Sequence, residues 1–271
     1  MAAIALWIAG SLLSAPANHP VGNLPPDLKG RSVQFSSDSG TVIQGWLIPG
    51  SRGSGALVLL HGVRGSRLDM LERARFLARA GYSVLLIDLQ AHGESQGKHI
   101  TFGYLESKDA QAAIEFLRAT VPGEKIGVIG VSLGGAAALL ATPPLKADAM
   151  VLEMVYPTID QAIGDRLALR LGGWSKTFVP LLSWQLKPRL GISANDLRPI
   201  DRVGALNLPK LFIAASEDRH TTLDESRALF AAASEPKEFW IVNGASHQDL
   251  HSYNRDEYER RVLAFFGKNL R

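Results

Sequence analysis

An α/β fold with a mainly parallel central sheet is what this sequence predicts, and three observations carry the prediction. Strand-length runs that are apolar without alternation recur: "ALVLL" (56–60), "SVLLID" (83–88), "KIGVIGV" (125–131) and "AMVLEMV" (149–155). Such runs suit strands whose sheet is covered by helices on both faces. Stretches with helical spacing lie between them. Ahead of them, "SVQFSSDSGTVIQGWLIPG" (32–50) has two short strands around Asp38-Ser39-Gly40, an antiparallel hairpin at one edge of the sheet.

The elements follow in order. "AAIALWIAGSLLSA" is an apolar run of fourteen residues, too short to cross a bilayer comfortably as an untilted helix. "APA" (15–17) has the small-x-small form of a signal-peptidase site, but no Lys or Arg precedes the apolar stretch. Three readings compete: an export signal, a truncated or interfacial anchor, and an amphipathic helix lying on the domain. Together they favour a membrane-associated or exported protein over a cytoplasmic one, with membrane association through this segment as a possible partner contact. "HPVGNLPPDLKG" (19–30) is a Pro/Gly-rich linker, so residues 1–28 are set apart from the body.

In the body, "LDMLERARFLARAG" (68–81) places Leu68, Leu71, Ala74, Leu77 and Ala78 at helical spacing and stops at Gly81. "YLESKDAQAAIEFLRATVPG" (104–123) repeats the pattern. Late in the chain "KLFIAAS", "TLDESRALFAAAS", "EFWIVNG" and "RDEYERRVLAFFGKNL" continue the strand–helix alternation. Residues 156–200 break the rhythm. They are longer than a normal connection and rich in Leu, Trp and Phe, which predicts short helices forming a cap that serves as a lid or binding wall. The core is then 29–155 and 201–271.

Bulk properties narrow the function. A chain of 271 residues suffices for one substantial domain. A net charge of +3, without a Lys/Arg cluster or interleaved aromatic and basic residues, argues against nucleic acid as a partner. No cysteine means no disulfide, no thiolate nucleophile and no Cys-ligated metal.

The informative stretch is "KIGVIGVSLGGAAALLA" (125–141), a buried strand, a turn and a helix with Ser132 at the apex. A G-x-S-x-G turn lets strand and helix approach closely while the serine takes a strained conformation with its hydroxyl exposed above the sheet. A purely structural corner would need no hydroxyl there. A hydroxyl alone is a poor nucleophile, so a base and an orienting acid are required. His247 in "VNGASHQDLH", just after the last strand, is the candidate base, and His220 is the one rival with good placement. Asp218 in "FIAASEDRH" is the candidate acid, with its neighbour Glu217 left open by spacing alone. Ser132, Asp218 and His247 follow the chain order of one nucleophile–acid–base type. "LLHGVRG" ends a strand in His-Gly, where backbone N–H groups can meet an oxyanion. Val63 and Leu133 are the expected donors, and His61 is expected to brace the loop. Arg64 could meet an anionic substrate group, against the plainer reading of an exposed loop arginine.

With "HGVRG", "DLQAHGES" (88–95), "GVSLGG", "ASEDRHT" and "GASHQDL" in place, the chain from Lys29 onward resembles the α/β-hydrolase family, closest to its small esterase-like and serine-aminopeptidase-like members. Asp88, His92, Gly93 and Ser95 match a turn that many members carry and are read as structural. The HGGG loop of the better-known lipases is missing. A serine nucleophile disfavours the haloalkane dehalogenase and epoxide hydrolase branches. The resemblance implies a serine hydrolase that cleaves carboxylic esters of small to medium hydrophobic substrates through an acyl-enzyme, with no cofactor and no metal. Peptidase, aminopeptidase or thioesterase action on the same triad is the alternative, as is a binding protein without turnover. Metal-assisted hydrolysis through His247 and His251 lacks both the HExxH form and a third ligand. Trp174, Phe178 and Trp184 suggest contact with a hydrophobic substrate group or, equally, anchorage of the cap on the sheet.

Overall fold

The computed structural model of the chain describes residues 2–271; Met1, the start of the segment set apart above, lies outside them. Eight strands form one sheet: β1 (Arg31–Ser36), β2 (Val42–Ile48), β3 (Ala56–Leu60), β4 (Ser83–Ile87), β5 (Ile126–Val131), β6 (Ala149–Glu153), β7 (Lys210–Ala215) and β8 (Lys237–Val242). Their spatial order is β8-β7-β6-β5-β3-β4-β2-β1. The hairpin β1–β2 and the β2–β4 pair are antiparallel; all other neighbours are parallel. The expected α/β-hydrolase architecture is therefore present, with the hairpin at one edge.

Composition places the strands. β3, β4 and β6 are buried at every position, as their unbroken apolar runs require, whereas β1 at the edge alternates between exposed and covered residues. Helices pack on both faces, among them α2 (Leu71–Arg79), α3 (Glu106–Thr120), α4 (Leu133–Leu140), α9 (Leu223–Ala232) and α10 (Arg255–Leu270). One apolar layer joins Val58, Leu85 and Val128 to Ile114, Leu117 and Leu139. The other joins Leu57, Leu86 and Ile129 to Phe76, Val262 and Phe266. Thr222 caps α9 and forms a capping box with Glu225, which satisfies orphan amides of its first turn.

Register decides where the functional loops emerge. Leu60 of β3 pairs with Gly130 of β5, and Ala215 of β7 pairs with Val242 of β8. The "HGVRG" loop and the Ser132 turn therefore leave the sheet side by side, as do the Asp218 and His247 loops. All four lie at carboxyl ends of strands, where ligands of open α/β sheets bind.

Between β6 and α8 (Ile200–Val203) the chain forms α5 (Ile159–Leu171), a 3₁₀ segment (Gly173–Phe178), α6 (Val179–Trp184) and α7 (Leu186–Leu190). The N-terminal run is a helix, α1 (Ala2–Ser14), docked on the body. Beyond it Ala17–Asn18 makes a two-residue parallel ladder with His92–Gly93, and the amides of Val21 and Gly22 donate to Glu94 Oε1 at 3.1 and 3.3 Å. The Pro/Gly-rich stretch is thus tied to the domain rather than free. Among the described residues no helix is long and apolar enough to cross a membrane.

Candidate active site

Ser132 sits between β5 and α4 at φ +49° and ψ −108°, a region that costs a non-glycine residue free energy and persists only where the surroundings hold it. Two hydrogen bonds do so. Its N–H donates to Glu153 O at 2.8 Å, and its carbonyl accepts from Ala136 N at 3.0 Å. The glycines are required by proximity. A Cβ on Gly134 would lie 2.3 Å from Leu60 O, and one on Gly130 would lie 2.6 Å from Gly135 Cα. A Cβ on Gly62 would come 3.8 Å from Ser132 Cβ, which puts the "HGVRG" loop directly against the serine.

His247 Nδ1 lies 2.6 Å from Asp218 Oδ2, with the carboxylate fully buried and the imidazole about 20 % exposed. The second oxygen of Asp218 accepts the amides of His220 and Thr221 at 2.7 and 3.0 Å, so the acid is clamped while it faces the base. Of the two acids left open by spacing, Glu217 points to solvent and Asp218 meets the histidine. The rival base His220 lies with its ring centre 5.2 Å from that of His247. Burial and the neighbouring His247 hold its pKa below the ordinary histidine value. Among the described residues no hydrogen bond joins His247 to the Ser132 hydroxyl; its partner is Asp218. In unliganded hydrolases such bonds are often long and tighten only in the substrate complex.

His61 is fully buried and braces its loop as expected. Its Nε2 accepts from Leu89 N at 3.1 Å and its Nδ1 lies 2.7 Å from Gly62 O. The proton therefore sits on Nδ1, and burial together with nearby His92 pushes the pKa down to about 3. Val63 stands in the loop at the mouth and Leu133 is the first residue of α4, where helix geometry leaves an N–H without an intrahelical acceptor. Among the described residues neither N–H has a protein acceptor. Arg64 is an exposed loop arginine, the plainer of its two readings. Its guanidinium donates to Leu12 O of α1 and so braces the N-terminal helix.

The two cap tryptophans depart from one of their two readings, anchorage on the sheet. Trp174 and Trp184 are 67 % and 64 % exposed, so they neither anchor the cap on the sheet nor wall an enclosed pocket. Phe178 is half-buried and packs edge-on against Trp174 at 5.7 Å. The cap is held by smaller residues, with Ile159, Ala162, Leu182 and Leu186 buried. His251, the other half of the "HQDLH" pair, is turned to Glu259 at 3.0 Å and stacks on Phe76. The two imidazoles therefore have separate partners, and among the described residues no cluster of three metal-ligating side chains occurs.

One feature escaped the sequence. Beneath the serine turn, Arg73 of α2 pairs with Glu153 at 2.8 Å, donates to Tyr258 Oη at 3.0 Å, and holds Asp249 at 2.7 Å. Tyr258 also donates to Glu153. Asp249 lies in the His247 loop, and the Glu153 carbonyl takes the Ser132 amide. One buried guanidinium thus links the base loop to the nucleophile turn. "DLQAHGES" is structural as expected: Asp88 accepts the amides of Arg67 and Glu94 at 2.7 and 2.9 Å, and the Ser95 hydroxyl donates to Asp88 O at 2.7 Å.

Comparison with known proteins agrees with this fold. The family model described as serine aminopeptidase, S33, matches residues 52–198. The chain belongs to this family of α/β hydrolases. As a member it is a hydrolase. An uncharacterized protein of Mycobacterium tuberculosis is 30 % identical to this S33-like hydrolase, over 88 % of this chain and 80 % of its own. An α/β-hydrolase domain-containing protein of Arabidopsis thaliana is 25 % identical over 93 % and 83 %. The Pyrococcus furiosus esterase Pf2001 shares the fold, with a TM-score of 0.78 at 23 % identity, covering 96 % of this chain and 99 % of that one.

Proposed function

We propose that this protein is a serine carboxylesterase acting through Ser132, His247 and Asp218. The reading rests on one observation above the rest: the 2.6 Å His247–Asp218 pair stands at the same end of the sheet as a serine in strained backbone geometry. The name of the Pyrococcus furiosus neighbour is in keeping with it.

His247 takes the proton of the Ser132 hydroxyl as Oγ attacks the ester carbonyl carbon. The N–H groups of Val63 and Leu133 receive the oxyanion. His247 then gives that proton to the leaving alkoxide, which departs as the alcohol. Water, deprotonated by the same imidazole, attacks the acyl-enzyme; the Oγ–acyl bond breaks, the acid leaves, and the imidazolium returns its proton to Ser132 Oγ. Asp218 keeps the imidazole proton on Nδ1 and stabilises the imidazolium. No step needs a cofactor.

Ser132→Ala is expected to fold normally and to lose about four to six orders of magnitude in turnover. A fluorophosphonate probe should label the wild type at Ser132. A p-nitrophenyl ester series run beside aminoacyl anilides and thioesters separates esterase from peptidase and thioesterase action. A folded protein that neither labels nor turns over any of them is a binding module, and the reading is then wrong.

A further inference from the structure

Among the described residues, ten of the fourteen exposed large apolar ones lie on three neighbouring pieces of chain: α1 (Trp7, Ile8, Leu12, Leu13), the loop beside Ser132 (Val63), and the cap (Leu169, Leu171, Trp174, Leu181, Trp184). These pieces touch. Arg189 of α7 donates to Trp7 O at 2.8 Å and lies over the Trp7 ring at 4.2 Å. Arg64 donates to Leu12 O. A Cβ on Gly10 would come 2.4 Å from Gln185 Oε1, so helix and cap are in close contact. A soluble surface rarely gathers this much apolar area in one place without an occupant.

Charge tells which occupant. α1 carries no charged residue. Residues 156–200 carry six cations (Arg166, Arg170, Lys176, Lys187, Arg189, Arg198) against three acids (Asp160, Asp165, Asp196). Of the cations, Lys176 pairs with Asp165 and Arg198 with Asp201, while Asp160 and Asp196 accept from Ser183 and Ser193 and keep their charge. Arg170 and Lys187 stand exposed. A second copy seated on the face by a two-fold axis would set cations against like cations. An anionic bilayer accepts both parts, apolar side chains and tryptophans at the acyl boundary and cations at the headgroups. Over its described residues α1 is about 20 Å long at 1.5 Å per residue, a length that can lie along the interface.

We propose that the face built from α1, the Val63 loop and the cap docks on the surface of an anionic phospholipid bilayer, with the mouth of the site turned toward the lipid. Docking does not depend on the esterase reading, and the test separates the two by using the Ser132→Ala chain, which cannot turn over. Vesicles of phosphatidylcholine and of phosphatidylcholine with phosphatidylglycerol are sedimented with this protein. The expected result is partition into the anionic vesicles, at least ten-fold weaker for zwitterionic ones. Leu12→Asp with Leu181→Asp should lower it at least ten-fold, and Arg170→Glu with Lys187→Glu should lower it similarly. The same substitutions in the active chain should leave hydrolysis of a soluble short ester and the melting temperature unchanged. No sedimentation with either vesicle, equal partition into both, or undiminished partition of either double variant overturns the proposal. So does a wild-type dimer in light scattering that the Leu12/Leu181 variant converts to monomer, because the occupant is then a second copy.

Discussion

Arg73 and Glu153, on the sheet side of the site, are 2 % and 0 % exposed and bond to each other. Arg170 and Lys187, on the cap side, stand in solvent. The buried charges are counted out partner by partner: the guanidinium meets the Glu153 carboxylate, the Tyr258 phenol and, at the surface, Asp249 of the base loop. That satisfaction is what a low-dielectric site demands, since an unpaired charge there costs several kcal/mol. The cap charges need no partner for stability and are free to serve another surface. The contrast separates residues that hold the chemistry in place from residues that decide what approaches it.

Substitutions can break this contrast, and the largest effect belongs to the buried acid. Asp218→Asn should leave the fold intact and lower kcat by about four orders of magnitude, because the amide favours the wrong imidazole tautomer. Steady-state kinetics on one activated ester read this directly. Arg73→Met comes next. It strands Glu153 without its counter-charge and should cost about 3–5 kcal/mol in denaturant unfolding. It should also lower kcat more than it raises KM, since the base loop loses its tie to Asp249. Lys187→Ala, on the other side, should stay within about 0.5 kcal/mol of wild type.

A pH-dependent difference lies between the two sides. Glu225 at the start of α9 has its pKa raised to about 7, by burial first and by the adjacent Asp165 of α5 next. The folded state therefore binds this proton more tightly than the unfolded state, and stability falls as pH rises from about 4.5 through 7. Glu225→Gln keeps an acceptor for the Thr222 amide and should remove that slope, so that the variant melts higher than wild type above pH 7 and alike near pH 4.5. Melting temperatures across that range check the sign. A small and local effect is expected from Arg64→Ala. It removes one hydrogen bond to α1, about 1 kcal/mol, visible as faster proteolysis within residues 2–14 with the core unaffected.

Much of the fold and of the candidate site was legible because each signal was local. Ser132 announces itself through glycines two residues away on either side, and His247 and Asp218 through small-residue loops directly after strands. What was not legible depends on distance along the chain. Arg73 meets Glu153 across 80 positions and Tyr258 across 185, and no periodicity marks a buried guanidinium. Choosing Asp218 over Glu217 needed the turn that aims one side chain inward. The hydrogen bond from Arg64 to Leu12 was not legible for a related reason, because the place of α1 on the body is not written in local pattern.

The short ladder between Ala17–Asn18 and His92–Gly93 has a bearing on maturation. An endopeptidase takes its target as an extended strand whose edge is open. Here that edge is spent, with Ala17 N bound to Ala91 O at 2.8 Å, directly at the "APA" stretch. Trimming at this point is therefore expected to precede closure of the domain. A chain that folds first keeps its leading helix.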